Sequence, residues 1–258
     1  MKRTKISTLP ENIPDELRRF CVGAEIYDSS CSPEARVIYV DRDGGYFLKT
    51  SAEGSLEKEA MLDRYFYSKG LAAEVLSYTT ENNRDWLLTA RVPGEDATHA
   101  IYLAEPRRLA VKMGELLREL HEMPTDDCPV QNRMSAYFAL AEENYKKGAF
   151  DLSYGDFESA EEAFKIAMSG KEKMKNDTLL HGDFCLPNFL FDNWKFTGFI
   201  DLGNGGVGDR HIDLFWGAWT LKFNLRTDEY RDLFFDAYGR DKVDKESLRI
   251  VSAAEIFG

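Results

Sequence analysis

The chain reads HGDFCLPN at residues 181–188 and GFIDLG at residues 198–203, with a short β-like link between the two segments. Alone, a segment such as HGD is usually a turn with a capping aspartate, so neither half is specific by itself. Together they place the oxygen-bearing side chains of Asp183, Asn188 and Asp201 within one stretch of small strands and loops. This combination is highly specific, and it decides the fold and the chemistry expected of the chain.

These three side chains fit the transfer of a phosphate group. Mg²⁺ prefers oxygen ligands and usually takes one or two of them from protein when it also binds phosphate, so Asn188 and Asp201 are predicted metal ligands. Asp183 is then free to accept a hydrogen bond from an attacking hydroxyl and to take its proton. The spacing HxDxxxxN is that of the protein-kinase catalytic loop. We therefore predict that Asp183 is catalytic and that His181 has a structural role.

The rest of the sequence predicts an α+β fold with two lobes. Residues 1–92 favour a small β-rich nucleotide-binding lobe, and residues 93–258 favour a larger, mainly helical lobe for catalysis and acceptor binding. The predicted elements are strands at 36–40, 46–49, 74–79 and 86–90, a DGG hairpin turn at 43–45, a helix capped by Ser55 that reaches Lys69, and helices near 106–122, 135–147, 159–170, 209–223, 227–238 and 244–257. RVPG at residues 91–94 marks the boundary, and a cleft is expected between the lobes.

These segments resemble the aminoglycoside 3′-phosphotransferases. The continuation GNGGVGDRHID at residues 203–213 is similar to that group, and AEIF at residues 254–257 is more loosely so. The resemblance covers nearly the whole chain, is tightest over residues 179–216 and is weak before residue 36. It implies a bilobal kinase-like fold, ATP or GTP as phosphate donor, and two Mg²⁺ ions. It also implies an aminoglycoside antibiotic as acceptor, phosphorylated on its 3′-hydroxyl, which would confer resistance.

The donor site is expected around Lys49, which ends the strand sequence YFLK. A lysine that follows apolar strand residues is typical of the kinase lysine that holds the α- and β-phosphates, and its partner is a glutamate on the next helix. Glu57 and Glu59 are the candidates, and the resemblance favours Glu59. The kinase glycine loop GxGxxG does not occur in this sequence. The resemblance implies that a short serine-containing loop replaces it, with Ser32 at the matching place, and an ordinary polar turn is an equal alternative.

The base of the nucleotide is expected beside Phe47 and the segment between the lobes. Phe47 is either a ring that stacks on the adenine or a core residue, and the two alternatives are about equal. WLLTARV at residues 86–92 is expected to connect the lobes. The resemblance implies that backbone groups of Ala90 and Val92 bond the edge of the adenine.

The acceptor is expected to be a cation, because the net charge is −12 and acidic clefts attract cations. Simple solubility explains such a charge as well. An acidic insert precedes the catalytic loop, and by position Asp156 is its predicted acceptor-binding residue. The resemblance adds Glu255. Where related enzymes carry an acidic pair, this chain has Ala254 before Glu255, so one carboxylate is missing and we expect some aminoglycosides to be used poorly.

Several other classes of protein fit the sequence less well. The charge argues against nucleic acid, whose phosphates need a basic surface. No run of 18 or more apolar residues occurs, and the N-terminus lacks the apolar segment of a secretory signal, so we expect a cytoplasmic protein with no membrane partner. We also expect a monomer or weak dimer. The closest alternative is a kinase for choline, homoserine or a fructosamine; another is a catalytically silent nucleotide-binding protein, which the complete set of catalytic groups disfavours.

Overall fold

The computed structural model describes residues 3–10 and 12–258. The chain forms two compact units: the first runs to Ala97 and also contains Pro187–Gly203, and the second contains Thr98–Leu186 and Asn204–Gly258. The domain division after residue 92 stays a prediction. The segment that carries Asn188 and Asp201 belongs to the first, β-rich unit, whereas Asp183 belongs to the second unit.

Short strands alternate with helices along the chain, and both are numbered in chain order. The strands are β1 (Thr4–Ile6), β2 (Glu25–Asp28), β3 (Arg36–Asp41), β4 (Tyr46–Ala52), β5 (Val75–Glu81), β6 (Arg84–Ala90), β7 (Glu95–Asp96), β8 (Thr178–Leu180), β9 (Phe189–Asp192), β10 (Lys195–Phe199) and β11 (Gly206–Gly208). The α-helices are α1 (Asp15–Cys21), α2 (Glu57–Ser68), α3 (Ala100–Leu103), α4 (Pro106–His121), α5 (Arg133–Lys147), α6 (Ala160–Gly170), α7 (His211–Leu225), α8 (Arg231–Tyr238) and α9 (Lys245–Glu255). The predicted elements agree with β3 to β6, α2 and α4 to α9, apart from shifts of a few residues at their ends.

The first unit is built on a six-stranded antiparallel sheet with the order β1-β2-β3-β4-β6-β5. The hairpin turn predicted at residues 43–45 is confirmed, since all three residues have positive φ angles, between 49° and 100°. Successive side chains of a strand point to opposite faces. Along β4, Leu48 therefore packs in the core, and Phe47 and Lys49 lie on the other face of the sheet.

Helix α2 follows β4 and carries an acidic side chain of the site. The predicted cap at Ser55 is wrong: the N-cap residue is Leu56, which has no capping side chain. The backbone N–H of Leu56 instead donates to Oδ2 of Asp85, a buried residue of β6, over 2.9 Å. A carboxylate from a distant strand thus satisfies one of the free N–H groups at the start of the helix. Gly70, with φ of 74°, follows the end of the helix as predicted.

The hairpin of β9 and β10 positions the predicted metal ligands. The two strands pair antiparallel, and β7 adds a third strand on the other side of β9. The backbone N–H of Ile200 donates to the carbonyl oxygen of Asn188 over 2.9 Å. This bond closes the open end of the hairpin, so Asn188 and Asp201 lie at the same end of it.

The second unit is mainly helical, with one small pair of strands, β8 and β11. Helix α4 turns its predicted apolar face inward, and these residues are buried: Leu109, Met113, Leu116 and Leu120. Gly114 lets α8 approach α4 closely, because a Cβ atom there would lie 2.4 Å from the backbone oxygen of Phe234. None of the helices in the described part of the chain is long and apolar enough to cross a membrane.

Candidate active site

Lys49 pairs with two carboxylates in the first unit. Its Nζ atom is 2.8 and 2.9 Å from the two oxygens of Glu59 and 2.9 Å from Oδ1 of Asp201. Burial alone would lower the pKa of Lys49, but the carboxylates of Asp201 and Glu59 outweigh it and raise the pKa above its usual value. The ammonium group is therefore charged. The acid on α2 that holds it is Glu59 rather than Glu57.

Asp201 has a left-handed backbone conformation, with φ of 57°. Such a conformation costs a non-glycine residue about 1–3 kcal/mol and persists only where the surroundings impose it. The residue lies between β10 and the 3₁₀ turn Leu202–Asn204, which fix its backbone on both sides. Its side chain is half exposed, and among the described residues only Lys49 contacts its carboxylate, through Oδ1. Oδ2 thus remains for a further ligand.

The residues present fit Mg²⁺ bound together with phosphate. Asn188 and Asp201 offer an amide oxygen and a carboxylate, which are ligands that Mg²⁺ prefers, and this ion takes few protein ligands when phosphate supplies the others. Within residues 3–10 and 12–258, no group of three or more His, Cys, Asp or Glu side chains could hold a metal ion. The pair therefore suits a metal that arrives with a phosphate ligand rather than a site made by protein alone.

A cavity of about 170 Å³ lies in the first unit and is charged at the Lys49 end. Its walls include all the residues that were predicted to bind the nucleotide: Ser32, Phe47, Lys49, Glu59, Ala90 and Val92. Asp201 lines it as well, and apolar side chains such as Leu190 and Phe199 complete it. The structure therefore gathers the predicted donor-site residues around one cavity.

The segment after β6 offers backbone groups to this cavity. The N–H of Ala90 donates to the carbonyl of Glu74 over 2.9 Å, so the carbonyl of Ala90 is the group it can offer a ligand. The N–H of Val92 donates to none of the residues that the structure describes. An acceptor followed by a donor matches the amino group and the neighbouring ring nitrogen of adenine. Phe47 is half-buried and lines the cavity, so its ring is accessible to a base.

The loop after β2 contributes two serine hydroxyls of different character. Ser32 is exposed and lines the cavity. Ser29 is 3% exposed, lines the cavity, and has a hydroxyl without a hydrogen-bond partner among the described residues. Leaving a buried hydroxyl unpaired costs about 1–3 kcal/mol, which points to a ligand. Only Ser32 was predicted; the signal for Ser29 was its place directly after a strand that leads to the cavity.

Asp63 is a second cavity residue that was not predicted. It lies one helical turn after Glu59 on α2, is buried, and lines the cavity. Burial, followed by the charge of Glu59, raises the pKa of Asp63 well above its usual range. Asp63 therefore adds less negative charge to the cavity than a fully ionised carboxylate would. Its spacing of four residues from Glu59 was the available signal.

In the second unit, Asp213 anchors the loop that carries Asp183. The two carboxylate oxygens of Asp213 accept hydrogen bonds from the backbone N–H groups of His181 and Gly182, each over 2.8 Å. Nε2 of His121 lies 3.1 Å from the same carboxylate. All of these groups are buried, so the hydrogen bonds are shielded from water and fix the backbone of the loop.

Two neighbours of Asp183 in sequence add to this anchoring. Gly182 has φ of 86°, and a Cβ atom there would lie 1.9 Å from the backbone oxygen of Asn204, so only glycine fits. Nδ1 of His181 accepts a hydrogen bond from the backbone N–H of Asp183 over 3.3 Å, which agrees with a structural role for this histidine. Asp183 itself is half-buried, so its carboxyl is both positioned and accessible.

The two predicted acceptor-binding residues differ in their surroundings. Glu255 is buried, and the hydroxyl of Tyr137 donates to its Oε1 over 2.9 Å. Burial raises the pKa of Glu255 to about 7, because the hydrogen bonds from Tyr137 and Trp216 and the charge of Arg133 offset it only in part. Asp156 is exposed, and no residue in the described part of the chain pairs with its carboxyl. The structure shows no contact between these two acids.

Ala254 faces an apolar core of the second unit. It is 1% exposed and packs in a hydrophobic core with Ala163, Ala167 and Val251. An acid here would be buried among apolar side chains, which counts against the expectation that an acceptor-binding carboxylate is missing at this position. The effect of this alanine on the range of aminoglycosides stays a prediction.

A lysine held by two carboxylates, together with an aspartate on an anchored loop, defines the class of kinase-like phosphotransferases. The chain belongs to the phosphotransferase enzyme family APH, which matches its residues 32–250. The enzyme class inferred from the motifs, a phosphotransferase, is thereby confirmed.

Similar proteins support this assignment over nearly the whole chain. A probable aminoglycoside 3′-phosphotransferase of Lactococcus lactis subsp. lactis (strain IL1403) is 46% identical over 251 residues, which cover 96% of this chain and 96% of that protein. An aminoglycoside 3′-phosphotransferase of Streptomyces fradiae is 34% identical over 247 residues, 91% of each chain. A crystal structure of an aminoglycoside-3′-phosphotransferase of type VIII matches with a TM-score of 0.77 and 25% identity, covering 95% of this chain and 98% of that chain. The predicted family resemblance and the kinase-like α+β fold are confirmed.

Proposed function

We propose that this chain transfers the γ-phosphate of ATP to the 3′-hydroxyl of an aminoglycoside antibiotic and thereby confers resistance to it. The observation that carries the proposal is the cavity of the first unit, where the predicted donor-site residues surround a charged lysine beside Asp201. The acceptor class is supported by relatives that align over at least nine-tenths of both chains and are named for this reaction. A cationic acceptor also suits the net charge of −12.

On the donor side, the adenine of ATP stacks on Phe47. Its amino group donates to the carbonyl of Ala90, and its ring nitrogen accepts from the N–H of Val92. Guanine carries a carbonyl where adenine carries the amino group, and two carbonyl oxygens would repel each other. We therefore expect ATP to be preferred over GTP. Lys49, held by Glu59, binds the α- and β-phosphates.

Asn188 and Asp201 are the proposed ligands of Mg²⁺, which neutralises phosphate charge when it is bound. Because Oδ1 of Asp201 contacts Lys49, the same carboxylate orients the lysine and offers its second oxygen to the metal. Loss of this side chain should therefore disturb both positive charges that face the phosphates.

On the acceptor side, Asp183 accepts a hydrogen bond from the attacking 3′-hydroxyl and takes its proton as the new O–P bond forms. Asp213 and Gly182 fix its backbone before the substrate arrives, so less ordering is needed during the reaction. Asp156 and Glu255 are the proposed partners of the ammonium groups of the acceptor. Glu255 can take this role in its ionised form.

A coupled assay of ADP release tests the proposal directly. We expect kanamycin to stimulate ATP turnover, and the 3′-deoxy analogue of the same compound to leave it at the background rate. The matched control is Asp183→Asn, which keeps the shape of the side chain but removes the base, and which should abolish the stimulation by kanamycin.

Other outcomes of the same assay would contradict the proposal in distinguishable ways. Stimulation by choline, homoserine or a fructosamine, but not by kanamycin, would replace it with a kinase for another small alcohol. Equal stimulation by kanamycin and its 3′-deoxy analogue would move the reaction to another hydroxyl. No turnover with any acceptor would leave a protein that binds nucleotide without using it.

A further inference from the structure

An aromatic cluster lies along one face of helix α7 in the second unit. It consists of Trp216, Trp219 and Phe223 of α7 and of Tyr154 from the 3₁₀ turn Leu152–Tyr154. The ring of Trp219 stacks on that of Phe223, with centres 4.9 Å apart and planes 11° apart, and Trp216 meets Trp219 edge-on at 5.5 Å. The ring of Tyr154 is 5.5 Å from Trp216 and 5.6 Å from Trp219. All of these distances are in the range where aromatic rings attract one another.

The same face of α7 contacts the catalytic loop. Positions 216, 219, 220 and 223 share one face, because they are three or four residues apart on a helix. The hydroxyl of Thr220 accepts a hydrogen bond from the backbone N–H of Leu186 over 3.1 Å. Cys185 and Leu186 are the second and third residues after Asp183. The aromatic cluster therefore lies beside the loop that carries Asp183.

The aromatic cluster remains accessible to a ligand. Phe223 is 49% exposed, and the other three rings are partly exposed. Exposed apolar groups that lie together, rather than singly, mark binding surfaces. The positively charged side chain of Arg226 contacts this cluster, since its guanidinium carbon lies 5.0 Å from the centre of the Phe223 ring. The end of the row of rings thus attracts a positive charge.

Carboxylates lie around the aromatic cluster. Tyr154 and Trp216 pack against the core that contains Ala254 and Ile256, and these two residues flank Glu255 in sequence. The backbone N–H of Asp151, three residues before Tyr154, donates to the carbonyl oxygen of Ile256 over 2.8 Å. Burial, followed by the charge of Asp151, raises the pKa of Tyr154. Ring faces and carboxylates together complement a ligand that has both an apolar C–H face and ammonium groups.

We propose that the aromatic cluster is the surface on which the acceptor packs one of its aminosugar rings, with Trp219 as the central contact. This inference rests on the proposed function, which supplies an aminoglycoside as the acceptor. The C–H hydrogens of a sugar ring are slightly positive and are attracted to the negative face of an aromatic ring. Ammonium groups are attracted both to the rings and to the neighbouring carboxylates. The cluster therefore selects acceptors by the shape of a sugar face in addition to charge.

Substitution of Trp219 separates the effect of a ring from that of apolar volume. Trp219→Leu should raise KM for kanamycin about tenfold, whereas Trp219→Phe should raise it less than about threefold. The value of kcat and KM for ATP should stay within about twofold, because the contact is the same in the ground and transition states. The control is Tyr67→Ala, which removes a ring of similar exposure, 48%, from α2 in the first unit and should change none of these values.

Two further measurements keep the test independent of any effect on folding. Phe223→Ala changes an exposed ring at the end of the cluster, and it should raise KM for kanamycin about threefold. Titration of kanamycin into the enzyme without ATP, followed by tryptophan fluorescence, should give a saturable change for the parent. Its midpoint should move about tenfold higher in Trp219→Leu.

The results that would overturn the inference differ from those that would overturn the proposed function. If the parent phosphorylates kanamycin and both Trp219→Leu and Phe223→Ala keep its KM and its titration midpoint, the cluster does not bind the acceptor. If the variants change the molecular size in solution and leave KM unchanged, the cluster is a contact between two copies of the chain, and the inference fails. If the parent phosphorylates no aminoglycoside, the proposed function itself fails.

Discussion

Replacing Glu255 with glutamine should make the stability of the protein less dependent on pH. Burial raises the pKa of Glu255 from its ordinary 4.5 to about 7. A tenfold change in proton affinity is worth about 1.4 kcal/mol, so ionising this carboxyl costs the folded state about 3 kcal/mol relative to the unfolded chain. Below pH 4.5 the group is protonated in both states and this cost is absent. As the pH rises from 4.5 through 7, the unfolded chain ionises first, and the free energy of unfolding decreases.

This cost can be measured by urea denaturation of the parent and of Glu255→Gln at pH 5 and pH 8. The change in the free energy of unfolding between the two pH values is compared for the two proteins. Between these two values of pH, the parent should lose about 2–3 kcal/mol more than the variant. Glu161→Gln is the control, because it removes the same charge from an exposed position at the start of α6 and should behave as the parent does. A double difference below about 0.5 kcal/mol, or one of opposite sign, would refute the assignment of a buried, partly protonated carboxyl.

Four other predictions concern the C-terminus and the site. Ala254→Asp should destabilise the fold by about 2–4 kcal/mol in urea denaturation and lower KM for no aminoglycoside, because the new carboxyl is buried among apolar side chains. Asp183→Asn should lower kcat about 10²- to 10⁴-fold while calorimetry shows the Kd for ATP unchanged; turnover within about threefold of the parent would rule out its role as base. Asp201→Asn should raise the Mg²⁺ concentration for half-maximal turnover about tenfold, and an unmoved midpoint with normal turnover would exclude it as a ligand. Ser29→Ala should keep or raise Tm but weaken ATP binding about fivefold, because it removes a buried hydroxyl that a ligand would satisfy. If only Ser32→Ala weakens ATP binding, Ser29 is not a ligand of the nucleotide.

The parts of this protein that could be predicted from sequence have local signals. The strands β3 and β4 are β-rich runs on either side of a DGG turn, so their pairing follows from a short stretch of chain. The spacing HxDxxxxN predicts roles for Asp183 and Asn188 without knowledge of the fold, and these roles stay predictions. The contact of Lys49 with Glu59 joins a strand to the next helix in sequence, so it too required little tertiary information.

The features that sequence reasoning missed depend on distant segments. Helix α2 is capped by Asp85, which lies 29 residues after Leu56, and no local pattern marks that pairing. Ala254 is buried because α9 packs against α6, and the C-terminal motif alone does not indicate this packing. No local pattern marks the unpaired hydroxyl of Ser29, because distant segments of the chain form the cavity that it lines. These errors all arise where tertiary packing decides which way a side chain faces.

The first unit is discontinuous along the chain, because Pro187–Gly203 joins it only after the whole of Thr98–Leu186. A ribosome adds about 5–20 residues per second, so Asp201 is made roughly 8–30 seconds after Lys49. During that interval the six-stranded sheet has all of its strands, and Lys49 has Glu59 as a partner but not Asp201. The cavity around Lys49 also lacks the walls that Phe199 and Asp201 supply. A nascent chain therefore cannot complete this cavity until the segment carrying Asp183 has been synthesised, so a chain with a complete cavity always contains Asp183.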